Sequence, residues 1–137
     1  MELNEKQRGE MGKLADEFGL CFVVLFGSRA TGQTHPESDF DIAYSADRKV
    51  DFDEEIKINT RLTEILGNIN VQLVNMKTAP PLLLKRITGQ AVVLYESRPH
   101  LLDELYIYAR RVYEEAQPLF ELREHYVNHR IKNYHHA

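Results

Sequence analysis

The stretch "LFGSRATGQTHPESDFDIAY", from Leu25 to Tyr44, combines a Gly-Ser pair with two alternating aspartates. Gly27 and Ser28 end an apolar run, and Asp39 and Asp41 follow after ten intervening residues. The apolar run from 20 to 26 is typical of a strand buried on both faces, and the segment after Asp39 is typical of a second strand. The stretch therefore predicts a strand, a glycine turn into a helix, and a strand that begins with two carboxylates.

The Gly-Ser pair lies where the first strand ends. Glycine permits a tight turn with positive φ and a close approach of a ligand to the backbone. The free N–H groups of a following helix, together with the hydroxyl of Ser28, would then face an anion such as a phosphate. Taken alone, the pair is more typical of an ordinary tight turn than of a ligand site.

The two aspartates indicate which kind of ligand the stretch binds. Side chains alternate along a strand, so Asp39 and Asp41 point to the same face, roughly 7 Å apart, while Phe40 and Ile42 point into the core. Two carboxylates on one face repel each other, and aspartate is depleted in strands. Magnesium uses one or two carboxylates together with substrate phosphates. The pattern therefore predicts a phosphoryl- or nucleotidyl-transfer site.

The rest of the chain predicts a small mixed α/β sheet of three to four strands flanked by helices, in a single domain. The order of the strands in the sheet does not follow from the sequence. Helices are predicted at about 4–18, from 51 to 66, from 80 to a stop at Gly89, and at about 99–117. Strands are predicted at 20–26, 39–44, 70–75 and 91–95, and a polar tail at about 118–137.

Composition excludes several classes of function. The net charge of −4 and pI of about 5.9 argue against a non-specific nucleic-acid binder, so no direct nucleic-acid contact is expected. The N-terminal sequence lacks the apolar region of a signal peptide, and no stretch is apolar enough to span a membrane. Cys21, the single cysteine, is expected to pack as a small hydrophobe. These features predict a cytoplasmic protein.

The spacing G-S-x10-D-x-D, formed by Gly27, Ser28, Asp39 and Asp41, resembles the signature of the DNA-polymerase-β-like nucleotidyltransferases. The fuller string "FGSRATG…ESDFDI" resembles their minimal nucleotidyltransferase (MNT) branch, which includes antitoxins encoded beside HEPN ribonuclease toxins. The resemblance implies a polymerase-β-like fold, ATP held at the Gly27–Ser28 turn, and two Mg²⁺ ions bound by Asp39 and Asp41. Arg29 is either a phosphate contact or an exposed surface arginine.

One position departs from the family pattern. The family usually supplies a third carboxylate from the next strand, and in "NINVQLVN" the corresponding place is taken by Gln72. A glutamine cannot act as a general base, although its carbonyl oxygen can ligate a metal or orient the acceptor. The substitution matters less if the acceptor is tyrosine, because a phenol has a pKa near 10 and loses its proton more easily than an aliphatic alcohol.

Three functions follow from these features. The leading hypothesis is an Mg-dependent adenylyltransferase antitoxin that moves AMP from ATP to a hydroxyl, expected to be a tyrosine, of a partner HEPN toxin. The second is a transferase for small molecules, against which the short chain counts. The third is a non-catalytic antitoxin that blocks its toxin by stoichiometric binding. A row of Tyr106, Tyr113 and Phe120 on the last helix is either a partner surface or part of the core.

Overall fold

The computed structural model describes residues 2–32, 39–67 and 70–136, without the side chains of Ser28 and of 134–136. Within these ranges four strands alternate with helices. The strands are β1 (Leu20–Phe26), β2 (Phe40–Ala46), β3 (Val71–Asn75) and β4 (Val92–Glu96), and the helices are α1 (Glu5–Phe18), α2 (Ser28–Thr31), α3 (Phe52–Leu66), α4 (Pro81–Gln90) and α5 (Leu101–His136). None of the described helices is long and apolar enough to cross a bilayer.

The strands form one mixed sheet in the order β3-β2-β1-β4. Strand β1 pairs antiparallel with both β2 and β4, whereas β2 and β3 are parallel. This arrangement brings the end of β1 and the start of β2 to the same edge, where Phe26 pairs with Asp41. The predicted mixed α/β sheet with flanking helices is confirmed, and the strand order is new information from the structure.

Helices cover both faces of the sheet. On one face, α1 and α3 pack over alternate residues of β1 and β2, and the core includes Leu14, Ile58, Ile42 and Tyr44. On the other face, α4 and α5 pack over Phe22, Val24, Phe26 and Ala43. Cys21 is half-buried beside this second cluster, as expected for a small hydrophobe.

Local sequence signals explain where α1 and α3 begin and end. The Asn4 side chain accepts a hydrogen bond from the N–H of Gln7, and the Gln7 side chain accepts one from the N–H of Asn4. Asp51 and Glu54 form the same reciprocal pair at the start of α3. Gly19 and Gly67 end the two helices in the left-handed conformation. Such caps satisfy backbone groups that the helix itself leaves unpaired.

Two predicted helix ends are wrong. Helix α4 continues through Gly89 to Gln90, because a glycine weakens a helix without being obliged to end it. Helix α5 does not end near Gln117 but continues through Pro118 to His136, so the predicted polar tail is helical. Proline disfavours helix at the preceding residue, but apolar residues continue at helical spacing after it: Leu119, Leu122 and Tyr126 are three and four residues apart, and Val127 and Ile131 are four apart.

The second half of α5 extends away from the body of the molecule. Ala109 is 1% exposed and belongs to the core, and Leu101 and Leu105 pack against the same cluster. By contrast, every described side chain from residue 117 to 133 is exposed. We call residues 117–136 the arm.

Candidate active site

Gly27 forms the turn at the end of β1. Its φ of +76° lies in the left-handed region that favours glycine. A Cβ at this position would collide with the Asp41 carboxylate, and would lie 3.1 Å from the carboxylate carbon. The glycine is therefore needed twice, once for the backbone conformation and once because the side chain of Asp41 fills the adjacent space.

A single helical turn follows Gly27. The carbonyl of Gly27 accepts hydrogen bonds from the N–H groups of Ala30, at 3.1 Å, and Thr31, at 3.2 Å, and from the Thr31 hydroxyl at 3.3 Å. The predicted strand–glycine–helix turn is therefore present. The Ser28 side chain lies outside the described part of the chain, so its role in nucleotide binding stays a prediction.

The two aspartates and Gln72 share one face of the sheet. Asp39 directly precedes β2, Asp41 is the second residue of β2, and Asp41 pairs with Gln72 of β3. The Gln72 amide nitrogen donates a hydrogen bond of 2.8 Å to Asp39 Oδ2. Because Asp41 alternates with Ile42, this face is the one that α4 and α5 cover farther along the strands. Gln72 thus stands where the sequence comparison with the family placed the missing acid.

Burial and a like charge act together on Asp41. Its pKa is raised above the usual aspartate value, first because the carboxyl is partly removed from water and second because the Asp39 carboxylate is nearby. The positive charge of Arg86 on α4 opposes both effects. The sequence analysis did not identify Arg86, since its proximity to Asp41 depends on how α4 packs on the sheet. The site therefore concentrates negative charge in a way that favours a bound cation.

Arg29 has a packing contact in the structure. Its guanidinium lies 4.1 Å from the centre of the Phe40 ring, within the range of a cation–π interaction. Phe40 points to the face of β2 opposite the two aspartates. A phosphate contact from Arg29 therefore stays a prediction.

The donor set of the site is compatible with magnesium. Two carboxylates and one amide oxygen are hard oxygen ligands, and Mg²⁺ is commonly held by one or two carboxylates plus substrate phosphates. The residues of 2–32, 39–67 and 70–136 contain no group of three or more His, Cys, Asp or Glu side chains that could hold a metal. This agrees with Gln72 replacing an acid, and it leaves Asp39 and Asp41 as the only carboxylates the described site supplies.

Several solved structures have a similar fold. A toxin–antitoxin complex with AMP-PNP matches with a TM-score of 0.73 and 23% identity, over 88% of this chain and 97% of the other. The toxin–antitoxin MntA-HepT matches with a TM-score of 0.67 and 20% identity, over 90% and 98%. A tri-AMPylated Shewanella oneidensis HEPN toxin in complex with MNT antitoxin matches with a TM-score of 0.62 and 22% identity, over 93% and 98%.

Sequence comparison identifies the family directly. Comparison with curated proteins gave no match. The family model described as "Polymerase beta, Nucleotidyltransferase" matches residues 12–100, which include the turn, both aspartates and Gln72. Since this match covers more than half of the chain, the protein belongs to the polymerase beta nucleotidyltransferase family.

Proposed function

We propose that this protein is an MNT antitoxin that transfers AMP from ATP to a tyrosine hydroxyl of a partner HEPN toxin in the cytoplasm. Support comes from the family and from similar folds in toxin–antitoxin complexes, one with AMP-PNP and one with a tri-AMPylated toxin. The observation that carries the proposal is the site itself. Gly27 is packed against Asp41, and Asp39, Asp41 and Gln72 share one face at the same edge of the sheet.

In this proposal each part of the site has one task. The backbone turn at Gly27 allows the triphosphate to approach, with the N–H groups that follow it near the phosphates. Asp39 and Asp41 would hold two Mg²⁺ ions, which when bound neutralise the phosphate charge and position the reacting oxygens. The acceptor oxygen attacks the α-phosphorus, the bond from that phosphorus to the oxygen bridging the β-phosphate breaks, and pyrophosphate leaves. The acceptor proton passes to solvent.

Gln72 limits which acceptors are suitable. Its amide nitrogen already donates a hydrogen bond to Asp39 Oδ2. Its carbonyl oxygen is only a weak hydrogen-bond acceptor, so this position supplies no base that could remove the acceptor proton. An acceptor that ionises on its own is then favoured, and a tyrosine phenol ionises several pH units below an aliphatic alcohol. We therefore assign tyrosine as the acceptor class.

Gln72 also supports a second candidate function. With an amide in place of the third carboxylate, the chain could retain its fold and neutralise the toxin by stoichiometric binding alone. The two candidates differ in the toxin, because transfer leaves a covalent AMP group on it and blocking does not.

The direct test is the mass of the toxin after incubation with the antitoxin, ATP and magnesium. We expect a gain of one or more AMP units with the wild-type chain and none with the Asp39→Asn and Asp41→Asn double variant. A matched control removes two exposed carboxylates elsewhere, Asp16→Asn with Asp53→Asn, and should transfer AMP like the wild type. Undiminished transfer by the double variant would contradict the catalytic assignment of the two aspartates.

A further inference from the structure

The arm presents apolar side chains to solvent from Leu119 to Ile131. Leu119 and Leu122 are both 66% exposed, and Tyr126 is 59% exposed. Val127 and Ile131 are also largely exposed. Burying an aliphatic or aromatic side chain of this size is worth about 1.5–3 kcal/mol, and a contiguous exposed apolar surface of this kind marks a site of interaction.

Two arginines lie within this surface. Leu119, Arg123, Tyr126 and Arg130 follow one another at intervals of four, three and four residues, which places them in one row on the helix; we call them the basic row. Arg130 is already oriented along the row, because its guanidinium donates a hydrogen bond of 3.3 Å to the Tyr126 hydroxyl and lies 5.8 Å from the ring centre. The basic row contains no carboxylate.

The charge of the row determines what can cover it. Burying an arginine without a partner charge is costly, so the occupant must offer carboxylates between apolar side chains. A second copy of this chain paired through the same row would bring four arginines into one seam, with no carboxylate in it. The occupant is therefore a different chain, with acidic groups about two helical turns apart, the separation of Arg123 and Arg130.

The arm leaves the body from the layer that covers the face carrying the aspartates. Helix α4 contributes Arg86, whose charge acts on Asp41, and Lys85, whose ammonium lies 4.1 Å from the ring centre of Tyr113 on α5. The Tyr113 ring is in turn 6.3 Å from Phe120 at the base of the arm. Helix α4 thus places one positive charge near Asp41 and another on Tyr113, the ring that packs against Phe120 at the base of the arm.

We propose that the basic row of the arm is the docking surface for the partner toxin, and that it binds an apolar surface of the toxin bearing paired carboxylates. This inference rests on the proposed function for the identity of the partner. The basic row is distinct from the aspartate site, so binding and transfer can be tested separately.

The experiment measures the affinity of the full chain for its proposed partner, a HEPN toxin, by isothermal titration calorimetry at low and high salt. Arg123→Glu and Arg130→Glu should each weaken binding at least tenfold, and the double variant should lose most of the salt dependence of wild-type binding. Lys132→Glu is the matched control. It makes the same change of charge within the arm, but nine residues from Arg123, on the opposite side of the helix, and should bind like the wild type.

Each outcome separates docking from catalysis. Wild-type affinity in both arginine variants, with circular dichroism confirming an intact helix, would overturn the docking surface and leave the proposed function standing. A dimer of the chain alone that Arg123→Glu dissociates would also overturn it, since the occupant would be a second copy. Arginine-dependent binding with no AMP on the toxin would support docking and contradict the proposed function. No binding by the wild type would contradict both.

Discussion

At the scale of single residues, the site depends on the contact between Gly27 and Asp41. The backbone of Gly27 has positive φ, and the Asp41 carboxylate occupies the space where any larger residue would place its Cβ. Gly32 also has a positive φ, of 80°, but apart from its chain neighbours no atom of the described residues lies within 4 Å of its Cβ position. These two glycines separate the cost of the backbone conformation from the cost of the contact.

Gly27→Ala should therefore destabilise the protein more than Gly32→Ala. The left-handed conformation costs about 1–2 kcal/mol for alanine, and only Gly27→Ala adds a collision with Asp41. We expect the free energy of unfolding in urea to fall by about 1 kcal/mol more in Gly27→Ala, with a loss of AMP transfer. Equal destabilisation of the two variants would mean that Asp41 moves aside freely.

The ionised side chain of Asp41 lowers the stability of the metal-free protein. Its pKa is raised by burial and by the charge of Asp39, so the ionised side chain opposes folding near neutral pH. In chelator, Asp41→Asn should raise the melting temperature by about 2 °C, and magnesium with ATP should raise that of the wild type but not of the variant. Asp53→Asn, at an exposed position, should change neither value. Equal stabilisation of Asp41→Asn by magnesium and ATP would contradict metal binding by Asp41.

Gln72 should control which hydroxyl can be modified. Transfer to a tyrosine should rise with pH as the phenol approaches its pKa near 10. Gln72→Asp should improve transfer to a serine placed at the acceptor position, because it introduces a base. Gln117→Asp makes the same substitution at an exposed position on α5 and should have no effect. A flat pH profile with an unchanged Gln72→Asp rate would mean that proton removal does not limit the reaction.

The geometry of the candidate site could be predicted from the sequence where it depends on local spacing. Gly27, Asp39 and Asp41 are separated by short, recognisable spacings, and strand alternation placed both carboxylates on one face. Gln72 was identified by its place on the next strand, although its hydrogen bond to Asp39 required the parallel pairing of β2 and β3. Arg86 could not be found this way, because nothing in the sequence of α4 states which residue of the sheet it approaches.

Among the elements, the helix caps could be predicted from the sequence, whereas the end of α5 could not. Asn4 with Gln7 and Asp51 with Glu54 are local capping signals, and the structure forms both pairs. The end of α5 involves two opposing signals, a proline at 118 and a continuing apolar spacing after it. In the structure the helix continues through Pro118. The rest of the fold would not have predicted this, because the described side chains of the arm are exposed.

The arm should be the least stable part of α5. Isolated helices of its length are marginal in water, and every described side chain of the arm is exposed. In hydrogen exchange read by NMR, amides of 119–133 should exchange at least tenfold faster than those of 104–116, which include the buried Ala109. Bound toxin should slow exchange in the arm selectively. Equal protection of both halves in the free chain would show that the arm is already covered in solution.

In the whole molecule, the described body and the arm have separate roles in the proposed function. The sheet and its helices hold the aspartates at one edge, and the described residues include no second domain that could enclose an acceptor. A protein acceptor that docks on the arm would complete the site. Because catalysis and docking use different residues, a transferase of this design would release its product and act again.

The most direct test of the proposed AMP transfer is whether one antitoxin molecule silences many toxin molecules. The measurement is the residual ribonuclease activity of a large molar excess of HEPN toxin after incubation with a small amount of antitoxin, with and without ATP and magnesium, and again after the antitoxin is removed. We expect catalytic amounts to silence the excess only when ATP and magnesium are present, and the toxin to stay silent and carry AMP afterwards. Neutralisation that needs one antitoxin per toxin, proceeds equally without ATP and leaves no added mass on the toxin would contradict it.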